Sequence, residues 1–134
     1  MLFKNSIHSL CTEVNTCIFL LDSLVVVILL QSGAVCLEFG EYTKAFPKSD
    51  KYALGEKTKT LILDILELLV EAETAKREWK EPVLEKVSNK LGVLKLMFRL
   101  ANEIKILDSK KYLKLTEQAL EIGRMLGGWL KSVR

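Results

Sequence analysis

Histidine is almost missing from this chain: His8 is the sole one among 134 residues. A carboxylate-bridged di-iron bundle draws imidazole ligands from Glu-x-x-His pairs on its helices, and nothing after His8 can supply them. The i, i+4 carboxylates Glu67/Glu71 and Glu117/Glu121 therefore read as surface groups. Cysteine is nearly as scarce. Cys11, Cys17 and Cys36 are odd in number, lie near the N-terminus and form no CxxC pair. With His8 they make four zinc donors on paper, but at spacings that fit no zinc pattern. Reduced thiols in a cytosolic protein are the simpler reading. A phosphate-binding loop is also missing. The segment Gly123-Arg124-Met125-Leu126-Gly127-Gly128 sits in a helical pattern and lacks the following Lys-Ser/Thr. Without a nucleophile and base, a metal set or a phosphate cradle, the expectation is a protein that is not an enzyme and has no metal or cofactor.

Alternation of period two, internal repeats and low-complexity tails are lacking as well, so strands and solenoids are not expected. What is there is apolar residue in quantity. Hydrophobic residues make up 49% of the chain, enough for one domain with its own core. The formal net charge is only +3, but it is unevenly placed. Residues 1–50 hold three lysines against five acidic residues, whereas residues 51–134 hold seventeen basic against twelve acidic. A basic balance of +5 in that part suits a polyanion or an acidic protein surface as partner, or simply a solvated helix surface.

Residues 1–40 differ from the rest. Ile18 to Leu30 is nearly unbroken apolar sequence, interrupted by Asp22 and Ser23. Ile18–Leu37 just reaches the length of a membrane span, about 20 residues, but Asp22 and Gln31 weaken it. Lys4 is a thin basic start for an export signal, and Val35 stands where a lipoprotein box needs a small residue. A buried first helix over Leu24–Ala45 accounts for the segment more economically. Residues 1–23 are then an N-terminal extension, possible as an upstream artefact of the reading frame, and residues 24–134 are the domain.

Beyond residue 40 the signals sharpen. Pro47 ends helix one, since the residue before proline avoids the helical region, and Ser49 is placed to cap helix two. In helix two Leu61, Ile65, Leu68 and Ala72 repeat at three- and four-residue spacing, with Leu54 a heptad earlier and Leu69 beside them. Arg77 to Pro82 reads as the next turn, with Pro82 in the first turn of helix three. Helix three carries the seam Leu84, Val87, Leu91, Leu94, Phe98 and Ala101. Asp108-Ser109 caps helix four, whose stripe runs Tyr112, Leu115, Ala119, Ile122, Leu126, Trp129 and Val133. Four helices joined by short turns predict an all-α, antiparallel up-and-down four-helix bundle. Gly123, Gly127 and Gly128 each cost that last helix about 1 kcal/mol against alanine, which predicts close backbone approach to a neighbour.

The basic residues repeat at helical spacing. Lys86 and Lys90, Lys95 and Arg99, and Lys110 and Lys114 are pairs at i, i+4. Like charges so placed cost a few tenths of a kcal/mol each, which counterion release on polyanion binding would offset. Glu85, Glu103, Glu117 and Glu121 offer the competing explanation, neutralisation within the surface. Trp79, Tyr112 and Trp129 could stack on bases, although Tyr112 and Trp129 fit a core stripe better.

Four segments in order resemble one known family. Phe46-Pro47-Lys48-Ser49 with Leu54-Gly55, then Leu66 to Ala72, then Phe98-Arg99-Leu100-Ala101, and Glu121-Ile122-Gly123-Arg124-Met125-Leu126-Gly127-Gly128-Trp129-Leu130-Lys131 closely resemble the Avd proteins. These are the accessory variability determinants of diversity-generating retroelements, related to the four-helix-bundle proteins of ribosomal-RNA intervening sequences. The likeness covers about residues 38–134, while residues 1–37 depart from the family's short polar start. It implies a homopentameric barrel of four-helix bundles in the cytoplasm, with no active site. It also implies binding to template RNA or an RNA/DNA hybrid, and to the element's reverse transcriptase, in support of mutagenic retrohoming. Lys48, Lys51, Arg99 and Arg124 fall at positions that look basic in the family, with Lys51 where arginine is expected. With the helical rows, the candidate nucleic-acid contacts are Lys48, Lys51, Lys86, Lys90, Lys95, Arg99, Lys110, Lys114 and Arg124. The alternative is an oligomeric protein–protein module of the intervening-sequence type without a nucleic-acid role.

Overall fold

The computed structural model describes residues 16–134, with side chains from Leu24 onward. Four long helices follow one another: α1 (Thr16–Thr43), α2 (Glu56–Thr74), α3 (Arg77–Glu103) and α4 (Ser109–Val133). Each packs on its neighbours in the chain, and α4 returns to pack on α1. This is the antiparallel up-and-down bundle that the short turns require. His8, Cys11 and the extension's first fifteen residues lie outside the described residues. Helix α1 nevertheless starts at Thr16, earlier than the expected Leu24.

The core is built from the apolar stripe of each helix. All six seam residues read from the sequence of α3 are buried, and so are Leu115, Ala119, Ile122, Leu126 and Trp129 of α4. Helix α2 differs in phase. Its buried line is Thr58, Ile62, Ile65, Leu69 and Ala72, while Leu61 and Leu68 only flank it. Leu61, Ile62, Leu63, Ile65, Leu66, Leu68, Leu69 and Val70 surround that helix with apolar residues, so three/four spacing admits more than one line. Thr58 can enter the core because its hydroxyl donates to the Leu54 carbonyl at 2.7 Å. Ser32 and Thr43 of α1 are buried in the same way, donating to Ile28 and Gly40 carbonyls.

The Phe46-Pro47 break has a packing role. Phe46 turns back into the core, with its ring edge-on to Phe39 at 6.0 Å, and Phe39 lies 5.6 Å from Phe98. Pro47 itself is the residue preceding the next helical turn, Lys48–Asp50, which leads through a π-helical stretch, Lys51–Gly55, into α2. Ser49 therefore sits inside the helix, two residues past its boundary at Pro47, and does not take the expected capping role. Asp108 does stand at the N-terminal boundary of α4, but its side chain makes no cap bond.

Pro82 is also displaced from expectation. Helix α3 begins at Arg77, so the proline lies in its second turn and the connection is only Ala75-Lys76. So tight a turn puts Lys80 against the end of α2, where its ammonium donates to the carbonyls of Ala72 and Glu73 at 2.7 and 2.8 Å. Those carbonyls are orphaned at a helix end, and a lysine there also suits the helix dipole. The α3 end closes differently. Ile106 donates to the Ala101 carbonyl and Lys105 to the Asn102 carbonyl, with Lys105 at φ 62°. That is a Schellman closure, built on lysine where glycine is usual.

Candidate nucleic-acid interface

Helix geometry separates the cations that the sequence groups together. Lys90 and Arg99 are nine residues apart, which at 3.6 residues per turn is about half a revolution. Lys86 and Lys95 are related in the same way. Lys90 pairs with Asp64 of α2 at 3.3 Å, so Lys86 and Lys90 mark the α2 flank of α3. Lys95 and Arg99 lie on the other flank, toward α4, where Arg99 meets Glu103 at 3.7 Å. The two i, i+4 pairs on α3 thus form rows on opposite flanks.

On α4 the cations divide again. Lys114 reaches α1 and pairs with Glu38 at 2.6 Å. Its neighbour Lys111 lies over the Tyr42 ring, 5.1 Å from the centroid, within the range of a cation–π contact. Lys110 follows Lys114 on the α1 flank by its i, i+4 spacing. Arg124 faces outward and holds Glu121 in a fork. That hydrogen-bonded guanidinium keeps the Glu121 carboxyl below the usual carboxylate range. Lys48 and Lys51 stand at the other connection, in the lead-in to α2. Among the described residues Lys48, Lys51, Lys86, Lys95 and Lys110 have no carboxylate partner, whereas Lys90, Arg99, Lys114 and Arg124 each have one.

The groove between α1 and α4 holds a cluster that sequence reading missed. Glu38 accepts from the Tyr42 hydroxyl at 2.6 Å, from Gln118 at 2.9 Å and from Lys114. Burial pushes its carboxyl up, but the bonds from Lys114, Tyr42 and Gln118 outweigh it and leave the group below its ordinary value. Tyr42 moves the other way: burial and donation to a carboxylate push it up to about 12. The i, i+4 spacing of Glu38 and Tyr42 was visible in the sequence, but their α4 partners lie some 70 to 80 positions away.

Trp129 is buried and Tyr112 half-buried, as core readings of both require. Trp79, on the first turn of α3, is 63% exposed. The glycines of α4 depart from expectation. A Cβ at Gly123 would meet Leu91 at 3.4 Å, but Gly127 and Gly128 face open space. Close approach within the protomer therefore explains only the first of them. No three His, Cys, Asp or Glu among the described residues converge on a common point. Leu24–Thr43 is long and apolar enough to cross a membrane, at mean hydropathy 1.8. Yet Val25, Ile28, Val35 and Phe39 of that helix form its contribution to the bundle core.

The division by halves is the strongest electrostatic feature. Residues 24–74, which include α2 and most of α1, carry five lysines against eight acidic residues, a net −3. Residues 75–134, which hold α3 and α4, carry fourteen basic against seven acidic residues, a net +7. A family sequence model described as bAvd-like matches residues 26–133. The match begins twelve residues before residue 38, where the likeness read from the sequence starts. No curated protein and no solved structure matches the chain.

Proposed function

This chain belongs to the bAvd-like family, the accessory proteins of diversity-generating retroelements, and from that premise we propose a non-catalytic, nucleic-acid-binding role. In this reading the protein binds template RNA or an RNA/DNA hybrid, assembles as a homo-oligomer (a pentamer by resemblance) and assists the element's reverse transcriptase in mutagenic retrohoming. It works in the cytoplasm. The observation that carries the proposal is the +7 balance of the α3/α4 half. It supports electrostatic attachment to a phosphate backbone, since such a surface gains affinity by releasing condensed counterions.

The unpaired lysines Lys86, Lys95 and Lys110 are the first contacts to test, because no carboxylate must be displaced for them to meet phosphate. Lys48 and Lys51 extend the surface at the α2 lead-in. Lys90, Arg99 and Arg124 would exchange a protein carboxylate for a phosphate at little cost, since those pairs are exposed, whereas Lys114 would have to leave the largely buried Glu38.

The test is RNA binding by fluorescence anisotropy across a salt series. The logarithm of affinity should fall linearly with that of salt. Each phosphate contact removed should flatten the slope by about 0.7 to 0.9. Lys86→Glu/Lys90→Glu and Lys95→Glu/Arg99→Glu should each weaken binding with helicity unchanged, and the larger loss identifies the flank that meets RNA. Salt-independent binding, or none at low salt, would sink the reading. A reverse-transcriptase complex that survives nuclease and high salt, without RNA affinity, would support the protein–protein alternative instead.

A further inference from the structure

Of the two tryptophans in this chain, Trp129 is buried in the core, whereas Trp79 presents 63% of its surface to solvent. Its place on the bundle is what gives that exposure meaning. Trp79 precedes Lys86 by seven residues and Lys90 by eleven. At 3.6 residues per turn the three fall within about 40° of one line along α3. The Lys90–Asp64 pair fixes that line on the flank shared with α2. Along the helix axis Lys86 follows the ring by about 10 Å, and Lys90 follows Lys86 by about 6 Å.

The ring has a rigid support. The Trp79 backbone N–H donates to the Lys76 carbonyl at 2.9 Å, and the next residue, Lys80, is tied to the end of α2 through the Ala72 and Glu73 carbonyls. The indole therefore projects from a fixed turn, and seating it against a ligand orders only its two side-chain torsions. Around it the charge is mixed, with a basic excess. Seven-residue spacing sets Lys57 and Glu71 of α2 in line with Asp64 on this flank. With Lys86 and Lys90 that makes three lysines against two carboxylates, and Lys76 and Arg77 add two exposed cations at the turn. Glu78 and Glu81 lie round toward α4, where Glu81 meets Arg134 at 2.8 Å.

We propose that this flank takes single-stranded nucleic acid: an unpaired base stacks on Trp79, while Lys86 and Lys90 hold phosphates of the nucleotides beside it. The inference rests on the nucleic-acid role proposed above and names the form of strand that this flank recognises. Every base has a π-face, so stacking on an aromatic side chain tolerates any sequence. It does require a free face, and a base inside a duplex has both faces covered by its neighbours. Lysines alone attract the phosphates of either form. Trp79 is thus the residue that separates single strand from duplex.

The experiment uses the full chain and three probes: an oligouridine, an abasic strand of the same length, and an RNA/DNA hybrid duplex of that length. Stacking quenches indole fluorescence, and buried Trp129 supplies a constant background. Oligouridine should quench the Trp79 emission, whereas the abasic strand and the hybrid should bind without quenching it. Trp79→Ala should weaken oligouridine binding by roughly five- to hundredfold, the range for loss of one stacked base. Its salt slope and its affinity for the other two probes should not change, and Trp79→Phe should recover most of the loss. Lys86→Gln/Lys90→Gln should instead flatten the salt slope by about 0.7 for each phosphate contact removed. Circular dichroism checks the helicity of each variant, and quenching in the unaltered chain needs no variant. Oligouridine binding without quenching, or an equal loss on all three probes in Trp79→Ala, overturns the stacking site but not electrostatic attachment. Failure to bind any of the three at low salt overturns both.

Discussion

The ammonium of Lys80, in the first turn of α3, donates to the carbonyl of Ala72 in the last turn of α2 at 2.7 Å. A second bond goes to Glu73. One side chain thus closes the end of one helix and fixes the start of the next. Charge-assisted bonds to carbonyls at a helix end contribute more than exposed ion pairs do. Lys80→Met keeps the aliphatic stem and should lower stability by about 1 to 2 kcal/mol. Lys86→Met, on the open surface, should change it by less than about 0.5 kcal/mol. Urea midpoints compare the two directly.

Lys105 occupies the left-handed region at φ 62°, at the end of α3. A side chain there costs about 1 kcal/mol relative to glycine. Lys105→Gly should therefore stabilise the fold by that order, with Ile106 and Leu107 still bonded to the Ala101 carbonyl. A lower midpoint would show that the lysine stem packs in a way that outweighs the backbone cost.

Gly127 and Gly128 meet nothing within 4 Å. Alanine at either position should raise the stability of the fold by about 1 kcal/mol through helix propensity alone. Thermal melts of Gly127→Ala and Gly128→Ala against the unaltered chain check it. If the same alanines weaken assembly in the unaltered chain, that face of α4 lies against a neighbouring copy.

Glu38 and Tyr42 give the fold opposite pH limits. The folded Glu38 carboxyl lies below its ordinary 4.5, so its contribution is present above that pH and is lost as pH falls through the folded value. Glu38→Gln should flatten the acid limb of stability measured by urea titration between about pH 5 and 3. Tyr42, pushed up to about 12, favours the fold below its ordinary 10 and loses that contribution as pH rises through 12. Phenolate absorbance should show a late-titrating tyrosine that Tyr42→Phe removes.

The seams of α3 and α4 were legible because apolar residues recur there in one continuous line at three- and four-residue spacing, with Leu96, Leu100, Leu113 and Leu120 standing outside it. Leu84 to Ala101 and Leu115 to Trp129 admit a single buried line. Helix α2 was legible as a helix but not in phase, since leucine and isoleucine surround it. The start of α3 was misread because proline is favoured in a helix's first turn, whereas the tight Ala75-Lys76 connection starts α3 at Arg77 and places Pro82 in the second. The candidate cations were each identifiable, and their i, i+4 spacing was correctly read. Their separation onto two flanks needs the nine-residue phase difference and the partner helices, which Lys90–Asp64 and Lys114–Glu38 supply.

By itself the sequence determined the class: four amphipathic helices, short connections, a basic C-terminal part and motifs that resemble one family. Those are properties of local periodicity and composition, which need no partner to be expressed. Tertiary structure decided which faces are spent on the core and which stay open. Burial of one stripe per helix fixes the rotation of every helix, and that rotation alone sends Lys86 and Lys90 to one flank of α3 and Lys95 and Arg99 to the other. The glycines of α4 follow the same logic: their pattern is in the sequence, but only packing shows that Gly123 has a neighbour within the protomer while Gly127 and Gly128 face open space.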